Sequence, residues 1–309
     1  MNKLSIIFIS VCVSFGVIRA APTNEIVASP DATTMHYGGK VLWTCQHNPD
    51  EGKPYFHPLR ATDGTHLTEL RPEDHVWHRA LWFSWKYING VNYWEENRET
   101  GQSEGFTRLL ATSRRISETQ QVSLDQDLDY APTKDGPALL RERRRLLVSP
   151  PDASGAYTID WLSEFQAVEA VELGRTPVAG EPKGKTWGGY AGLSVRLSQA
   201  TIGGSFLTRA GVLEGDTIQN IQAPWMSFIS PAGATVLMMD HPENFRSPTK
   251  WYVAPTMPFF SPVVLFDAPY SLAAGETLCL RYRMVVSATP VTVNAAEEFF
   301  RDWATSVTK

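Results

Sequence analysis

Over most of the chain, apolar and polar positions alternate in short runs. The clearest run is 278–287, where Leu278, Leu280, Tyr282, Met284 and Val286 share one parity and Arg281 and Arg283 the other. A period of two puts such sets on opposite faces of a strand. Strands are predicted likewise over 36–46, 106–116, 121–130, 138–148, 157–173, 190–198, 205–210, 218–229, 234–240 and 263–266. Turn signals such as Asp135-Gly136-Pro137 and Ser149-Pro150-Pro151-Asp152 divide them. Helical spacing is confined to the end. There Asn294 and Glu297 resemble a capping box, and Phe299, Phe300 and Trp303 form one apolar stripe. A dozen or more strands with almost no helix predict an all-β fold, a large two-sheet antiparallel sandwich with a short C-terminal helix.

The first residues break this pattern. Lys3 precedes an apolar run from Leu4 to Ile18, and Ala20 suits a cleavage position. That is the pattern of a secretory signal peptide. No later run approaches the roughly 20 apolar residues of a spanning helix. The expected organisation is therefore a signal peptide at 1–20, a polar mobile leader at 21–35 and one β-sandwich domain at 36–309. Export to the periplasm or the cell exterior follows from it, with no membrane span after cleavage.

Loss of Lys3 and Arg19 moves the net charge from −5 to −7. That mild acidity argues against a nucleic-acid surface. Cys45 and Cys279 can pair in an oxidising compartment or stand as separate thiols. The run Arg141, Arg143, Arg144, Arg145 is interrupted by Glu142 and carries charge on both parities, so it reads as a solvated strand or hairpin end, with an anion site as the lesser reading.

Candidate chemistry concentrates in 71–94, RPEDHVWHRALWFSWKYINGVNYW. It holds two of the seven histidines, His75 and His78, and Trp77, Trp82, Trp85 and Trp94 of the ten tryptophans. If a strand starts near His78, then His78, Ala80, Trp82 and Ser84 face one way and Arg79, Leu81, Phe83 and Trp85 the other. His75 and His78 meet only if the chain turns between them. His57 lies in KPYFHPLR and His241 in DHPEN.

Three readings stay open. In the first, His75, His78 or His57 moves protons on a sugar, with Asp74 or Asp240 orienting the imidazole. Trp82, Arg79, Tyr190 and His241 then bind the substrate, and Glu95 or Glu96 supplies a second carboxylate. In the second, His57, His75 and His78, with Asp74 or His241, hold a divalent metal such as zinc, iron or manganese. In the third, the histidines satisfy buried backbone groups, and the protein is structural or only binds glycans. Gly188 and Gly189 before Tyr190 allow either close approach of a ligand or a bend.

The segments KPYFHPLR, DHVWHRALWFSWKYINGVNYW, WGGYAGLSVR, DHPEN and GETLCLRYRMVV together resemble the methane oxygenase PmoA-like family, over nearly the whole chain beyond residue 20. One departure is Ala80, where that pattern often has glycine. The label implies a metal-dependent oxygenase. The resemblance also implies a large β-sandwich that works beside sugar-oxidising enzymes. LAAGETLCLRYRM is similar to the closing strand of aldose epimerase-like supersandwiches, which again points to carbohydrate. The resulting expectation is an exported protein that cleaves or isomerises a sugar or keto-glycoside by histidine acid–base chemistry. A carbonyl in the ring would make a neighbouring proton acidic enough for imidazole to remove. The expected partner is a carbohydrate small molecule or oligosaccharide. A metal-dependent oxygenase and a non-catalytic glycan-binding protein are the alternatives.

Overall fold

Alternating faces need partners, and here two nine-stranded antiparallel sheets supply them for each other. The computed structural model describes residues 23–215 and 218–306, so the expected signal peptide lies outside the described residues. Across the first sheet the strands run Asn24–Ala28, Ala32–Tyr37, Lys40–Gln46, Tyr55–Leu59, Leu81–Ser84, Gly192–Arg196, Phe259–Pro262, Lys250–Ala254 and Ile218–Gln222. Across the second they run Gly211–Val212, Ser205–Thr208, Trp225–Ile229, Thr235–Asp240, Thr277–Ser287, Tyr157–Ala167, Leu140–Val148, Val122–Ala131 and Phe106–Ile116. A small third sheet joins Tyr270–Leu272, Val171–Gly174, Tyr87–Ile88 and Val91–Asn92.

The inner faces interlock through large side chains. Phe56 of the first sheet lies 6.5 Å from Trp161 of the second, and Phe83 lies 5.1 Å from Phe165. Each such side chain, once buried, contributes about 1.5–3 kcal/mol. Leu81 and Phe83 enter this core, as their parity predicts, and so do Leu278, Leu280, Tyr282, Met284 and Val286. Arg283, on the other parity, pairs with Asp160 directly across from it at 2.5 and 2.7 Å.

Each sheet also has a covered outer face. The helix Val293–Thr305 lays Ala296 and Trp303 over Trp225, Leu237, Met239 and Val285 of the second sheet. Its cap is Thr292, whose side chain accepts from the Ala295 N–H. The expected Asn294–Glu297 box does not form, because the helix already starts at Val293 and Asn294 lies inside its first turn; Glu297 is instead engaged by Arg209 and by Trp225 Nε1 at 2.8 Å. On the first sheet, Tyr55, Trp82, Tyr252 and Phe259 are covered by loops carrying Trp77, Trp94 and Tyr190. The candidate site lies there.

Several expectations change. Much of the predicted leader, 21–35, belongs to the sheet: Asn24–Ala28 pairs with Ala32–Tyr37, and Met35 is buried in the core. The run 157–173 is two strands in different sheets. Buried residues keep the odd-numbered positions on both sides of the bend, and exposed Glu169, the one charged residue at those positions, marks where the chain leaves the second sheet. The run 218–229 also splits between sheets, at Ala223-Pro224, where Pro224 has no N–H for a ladder. Residues 263–266 are a buried turn, and the strands there are Lys250–Ala254 and Phe259–Pro262. Cys45 is buried and Cys279 exposed, and they do not pair.

The basic run is not wholly solvated. Leu140–Val148 keeps strict alternation, and Glu142 and Arg144 are on its inward parity. The charges that seemed to break the pattern are an ion pair inside the sandwich. Glu142 accepts from Arg144 Nε at 2.7 Å, Arg144 Nη2 at 2.9 Å, Tyr130 Oη at 2.5 Å and Ser163 Oγ at 2.5 Å.

Candidate active site

Whether His75 and His78 meet depends on the loop before strand Leu81–Ser84. The His75 N–H donates to Pro72 O at 3.0 Å, and the His78 N–H donates to His75 O at 2.9 Å. Arg71 N–H donates to His78 O at 2.8 Å and closes the loop at its base. Arg71 and Ala80 both take left-handed backbone, at φ 50° and 64°. The value at Ala80 explains why glycine would suit that position. These turns bring the two imidazoles into a stack, 4.6 Å between centroids and 24° between planes. Phe259 continues the stack on the other side of His78 at 5.2 Å.

Around this stack lies a cleft of about 300 Å³, lined by His75, Trp77, His78, Trp94, Glu95, Trp187, Tyr190, Tyr252, Met257 and Phe259. Its walls are mainly aromatic. Trp94 is 6.0 Å from the His78 ring and 5.4 Å from that of Tyr190. Trp187 is half-exposed and meets Tyr190 at 6.1 Å. Pockets that hold small ligands usually span roughly 300–1,000 Å³, so this one suits a single ring.

Two polar groups interrupt the aromatic walls, and each is braced from behind. Asp74 Oδ2 lies 3.0 Å from His75 Nδ1, at ion-pair distance but off the line of a good hydrogen bond. Asp74 also receives both of its oxygens' bonds from Nη2 of the buried Arg196, at 3.0 and 2.9 Å. Burial acts to raise the Asp74 carboxyl, but His75 and Arg196 outweigh it and hold it below the usual range. Arg196 reaches this place from strand Gly192–Arg196, through the sheet register that sets its N–H on Ala80 O.

The second group is Glu95. Lys86 Nζ donates to both its oxygens, Tyr190 Oη to Oε1 at 2.7 Å and Asn92 Nδ2 to Oε2 at 2.7 Å. Burial would raise the Glu95 carboxyl, yet these donors, Lys86 first, keep it low and ionised. Burial, and then Glu95, push the Tyr190 phenol up. His78 is nearly sealed. Burial, followed by His75 and Arg196, drives its pKa well below that of free imidazole, so it is neutral, and its buried Nδ1 has no hydrogen-bond partner among the described residues. Near neutral pH the cleft thus contains an ionised carboxylate, a neutral imidazole and a second imidazole set against a carboxylate.

The remaining expected site residues go elsewhere. Trp82 is on the predicted side but fully buried beneath His78 and Trp94, so it is a floor and not a ligand-facing platform. Arg79 turns away from the aromatic cleft to Glu96, 3.0 Å from Nε, and to Glu51. His57 lies against His66 at 5.3 Å and contacts Thr68 at 3.1 Å; burial lowers its pKa to about 4. His241 is under the C-terminal helix, 5.0 Å from Trp303, and Asp240 is bound beside it to Asn244 and the Thr249 N–H. Neither reaches the cleft. His57, His75 and His78 do not gather as metal ligands, and no group of three or more such side chains does so among the described residues. Gly188 and Gly189 serve a bend: Gly189 has φ +88°, and a Cβ on Gly188 would meet Pro177 O at 2.1 Å.

Sequence reasoning missed Lys86, Trp187, Tyr252, Phe259 and Arg196. Trp94 and Glu95 were visible as neighbours at the end of the dense window. Tyr252, Phe259 and Arg196 had no local signal, because strand order across the first sheet brings them in.

No curated protein matches the chain. Among solved structures, the galactosidase domain of an alpha-galactosidase-sucrose kinase overlaps it with TM-score 0.42 at 11% identity, over 88% of this chain and 42% of that one. An alpha-galactosidase from Geobacillus stearothermophilus gives 0.42 at 10%, over 87% and 41%. The chain thus spans about two fifths of the length of each. A putative aldose 1-epimerase from Klebsiella pneumoniae gives 0.41 at 10%, over 94% of both chains. These neighbours are carbohydrate-active by name, and overlap this loose says nothing about the chemistry of the present cleft. The matching family model, over residues 32–301, is not the PmoA-like one that the motifs suggested: the chain belongs to DUF6807, a family of unknown function.

Proposed function

We propose that the protein is carbohydrate-active and performs proton-transfer chemistry on a single sugar ring held in the aromatic cleft. The observation that carries this reading is the pairing of aromatic walls with two braced polar groups, Arg196–Asp74–His75 and Lys86–Asn92–Tyr190–Glu95. Aromatic faces accept the C–H face of a sugar, and a few placed polar groups take its hydroxyls and fix its orientation. Each ionised side chain has its counter-ion inside the protein, which suits a neutral ligand.

In this reading His75 is the proton shuttle, because it lines the cleft and has a carboxylate at Nδ1. Glu95, held ionised, accepts a hydrogen bond from a sugar hydroxyl and fixes its orientation. His78 stays neutral and supports His75 by stacking. Such a set serves cleavage or isomerisation at the ring, including removal of a proton beside a ring carbonyl in a keto-sugar. Export through residues 1–20 belongs to the same proposal, and sequencing the N-terminus of protein recovered from the producing cell tests it.

The chemistry is tested by incubating the full chain with neutral sugars, their glycosides and keto derivatives, and following anomeric and ring protons by NMR. His75 is partly exposed, so His75→Ala will fold. It should lower turnover by roughly 10²–10⁴-fold, the usual contribution of a placed acid or base. Unchanged turnover removes His75 from the mechanism. Binding without conversion by the native chain leaves a glycan-binding protein instead.

A further inference from the structure

We infer that the aromatic cleft is one subsite of a longer groove, and that a neighbouring polar cleft takes the next residues of a neutral oligosaccharide. This rests on the carbohydrate reading above. The second cleft measures about 710 Å³, more than twice the first by the same measure, and is bounded in part by Lys53, Arg71, Arg79, Glu96 and Gln102. A shallow trough connects them. Glu95 lines both the aromatic cleft and the trough, and Glu96 and Gln102 line both the trough and the polar cleft.

The wall between the clefts is one chain thick. His78 and Glu95 border the aromatic side, and their successors Arg79 and Glu96 border the polar side. A ligand crossing at 95–96 therefore has one ring beside His75 and the next over Glu96. The floor of the polar cleft is rigid. Glu96 accepts from Lys53 Nζ at 3.2 Å, Arg79 Nε at 3.0 Å and Arg71 Nη1 at 2.9 Å. Lys53 also donates to Ser103 Oγ at 2.8 Å and to Trp94 O at 3.3 Å, which ties this floor to the wall of the first cleft.

The charges there are mixed and paired, with Glu51 on Arg79 at 3.3 Å and Glu96 among three cations. A polyanion would call for a field of one sign. Glu51 and Arg71 stay partly exposed above the sealed Glu96 and Arg79, and a carboxylate beside a guanidinium suits sugar hydroxyls, which donate to the first and accept from the second.

The test is calorimetric titration of the full chain with glucose and galactose, then with lactose, raffinose, cellotriose and maltotriose. At least one oligosaccharide should bind about tenfold tighter than its monosaccharide, as two net hydrogen bonds would give. Gln102 is exposed, so Gln102→Trp blocks the polar cleft without disturbing the core. It should bring the oligosaccharide-to-monosaccharide affinity ratio near one. If monosaccharides bind but longer sugars gain nothing, or if the gain survives Gln102→Trp, the groove is wrong and the ring site stands. If no sugar on the panel binds, the carbohydrate reading falls and takes this inference with it.

Discussion

The ion pair inside the sandwich permits a sharp test of the fold's energetics. Glu142 and Arg144 are both fully buried, and the guanidinium stacks 4.6 Å from the Trp161 ring. Glu142→Gln keeps the shape and an acceptor oxygen for Ser163 or Tyr130, but leaves the Arg144 charge without a partner. Arg144 Nη1 already has no hydrogen bond among the described residues, so nothing nearby can compensate. Breaking one side of a buried pair costs about 3–5 kcal/mol. Arg144→Met should cost about the same, since it strands the carboxylate instead. The double variant Glu142→Gln, Arg144→Met has no charge left at this place in the sandwich and should be more stable than either single. The measurement is urea unfolding followed by tryptophan fluorescence, to which Trp161 reports directly. A coupling of about 3 kcal/mol in the double-mutant cycle is expected. If the two single costs simply add, within about 0.5 kcal/mol, the pair is not the unit described here.

Four further outcomes follow. Trp187→Ala should weaken sugar binding about 2- to 10-fold, as loss of one aromatic contact implies, and leave Tm unchanged because Trp187 is half-exposed; an unaltered Kd excludes it from the cleft's mouth. Lys86→Met removes the main force holding Glu95 ionised, so burial should carry that carboxyl above its usual range; sugar affinity measured against pH would then fall off at higher pH than in the native chain, and an unmoved profile would separate Glu95 from the ligand. Burial lowers the pKa of His47, His57, His66, His78 and His241, so the unfolded chain takes up protons that the folded chain refuses; their contribution to stability is present above pH 6.5 and lost below it, and the urea midpoint should drop between pH 7 and 5. Asp240 runs the other way, raised to about 6 by burial, so its contribution is full below about pH 4 and lost as pH rises through 6; Asp240→Asn should remove that opposing slope, at most roughly 3 kcal/mol, and a stability–pH curve identical to the native one would refute the assignment.

Legibility followed the range of the interactions. Strand parity in 278–287 and 140–148 is a local property and can be read from side chains alone, and so can the helix stripe at Phe299, Phe300 and Trp303. Glu142 and Arg144 obeyed that parity all along. They looked like surface because a charge normally solvates, and only the facing Tyr130 and Ser163 make burial tolerable. The dense window 71–94 supplies one side of the aromatic cleft, because the turns that stack His75 on His78 are themselves local.

What the sequence by itself determined is the all-β architecture, the inward and outward faces of its strands and the histidine–tryptophan half of the cleft. Tertiary structure alone decided the other half. Arg196, Tyr252 and Phe259 arrive through the order and register of strands far apart in the chain. The same order leaves His57 and His241 outside the site, where composition had made them candidates. The physical reason is that alternation specifies which face a side chain occupies but carries no record of which strand lies beside it, and a cleft assembled across a sheet depends on that neighbour.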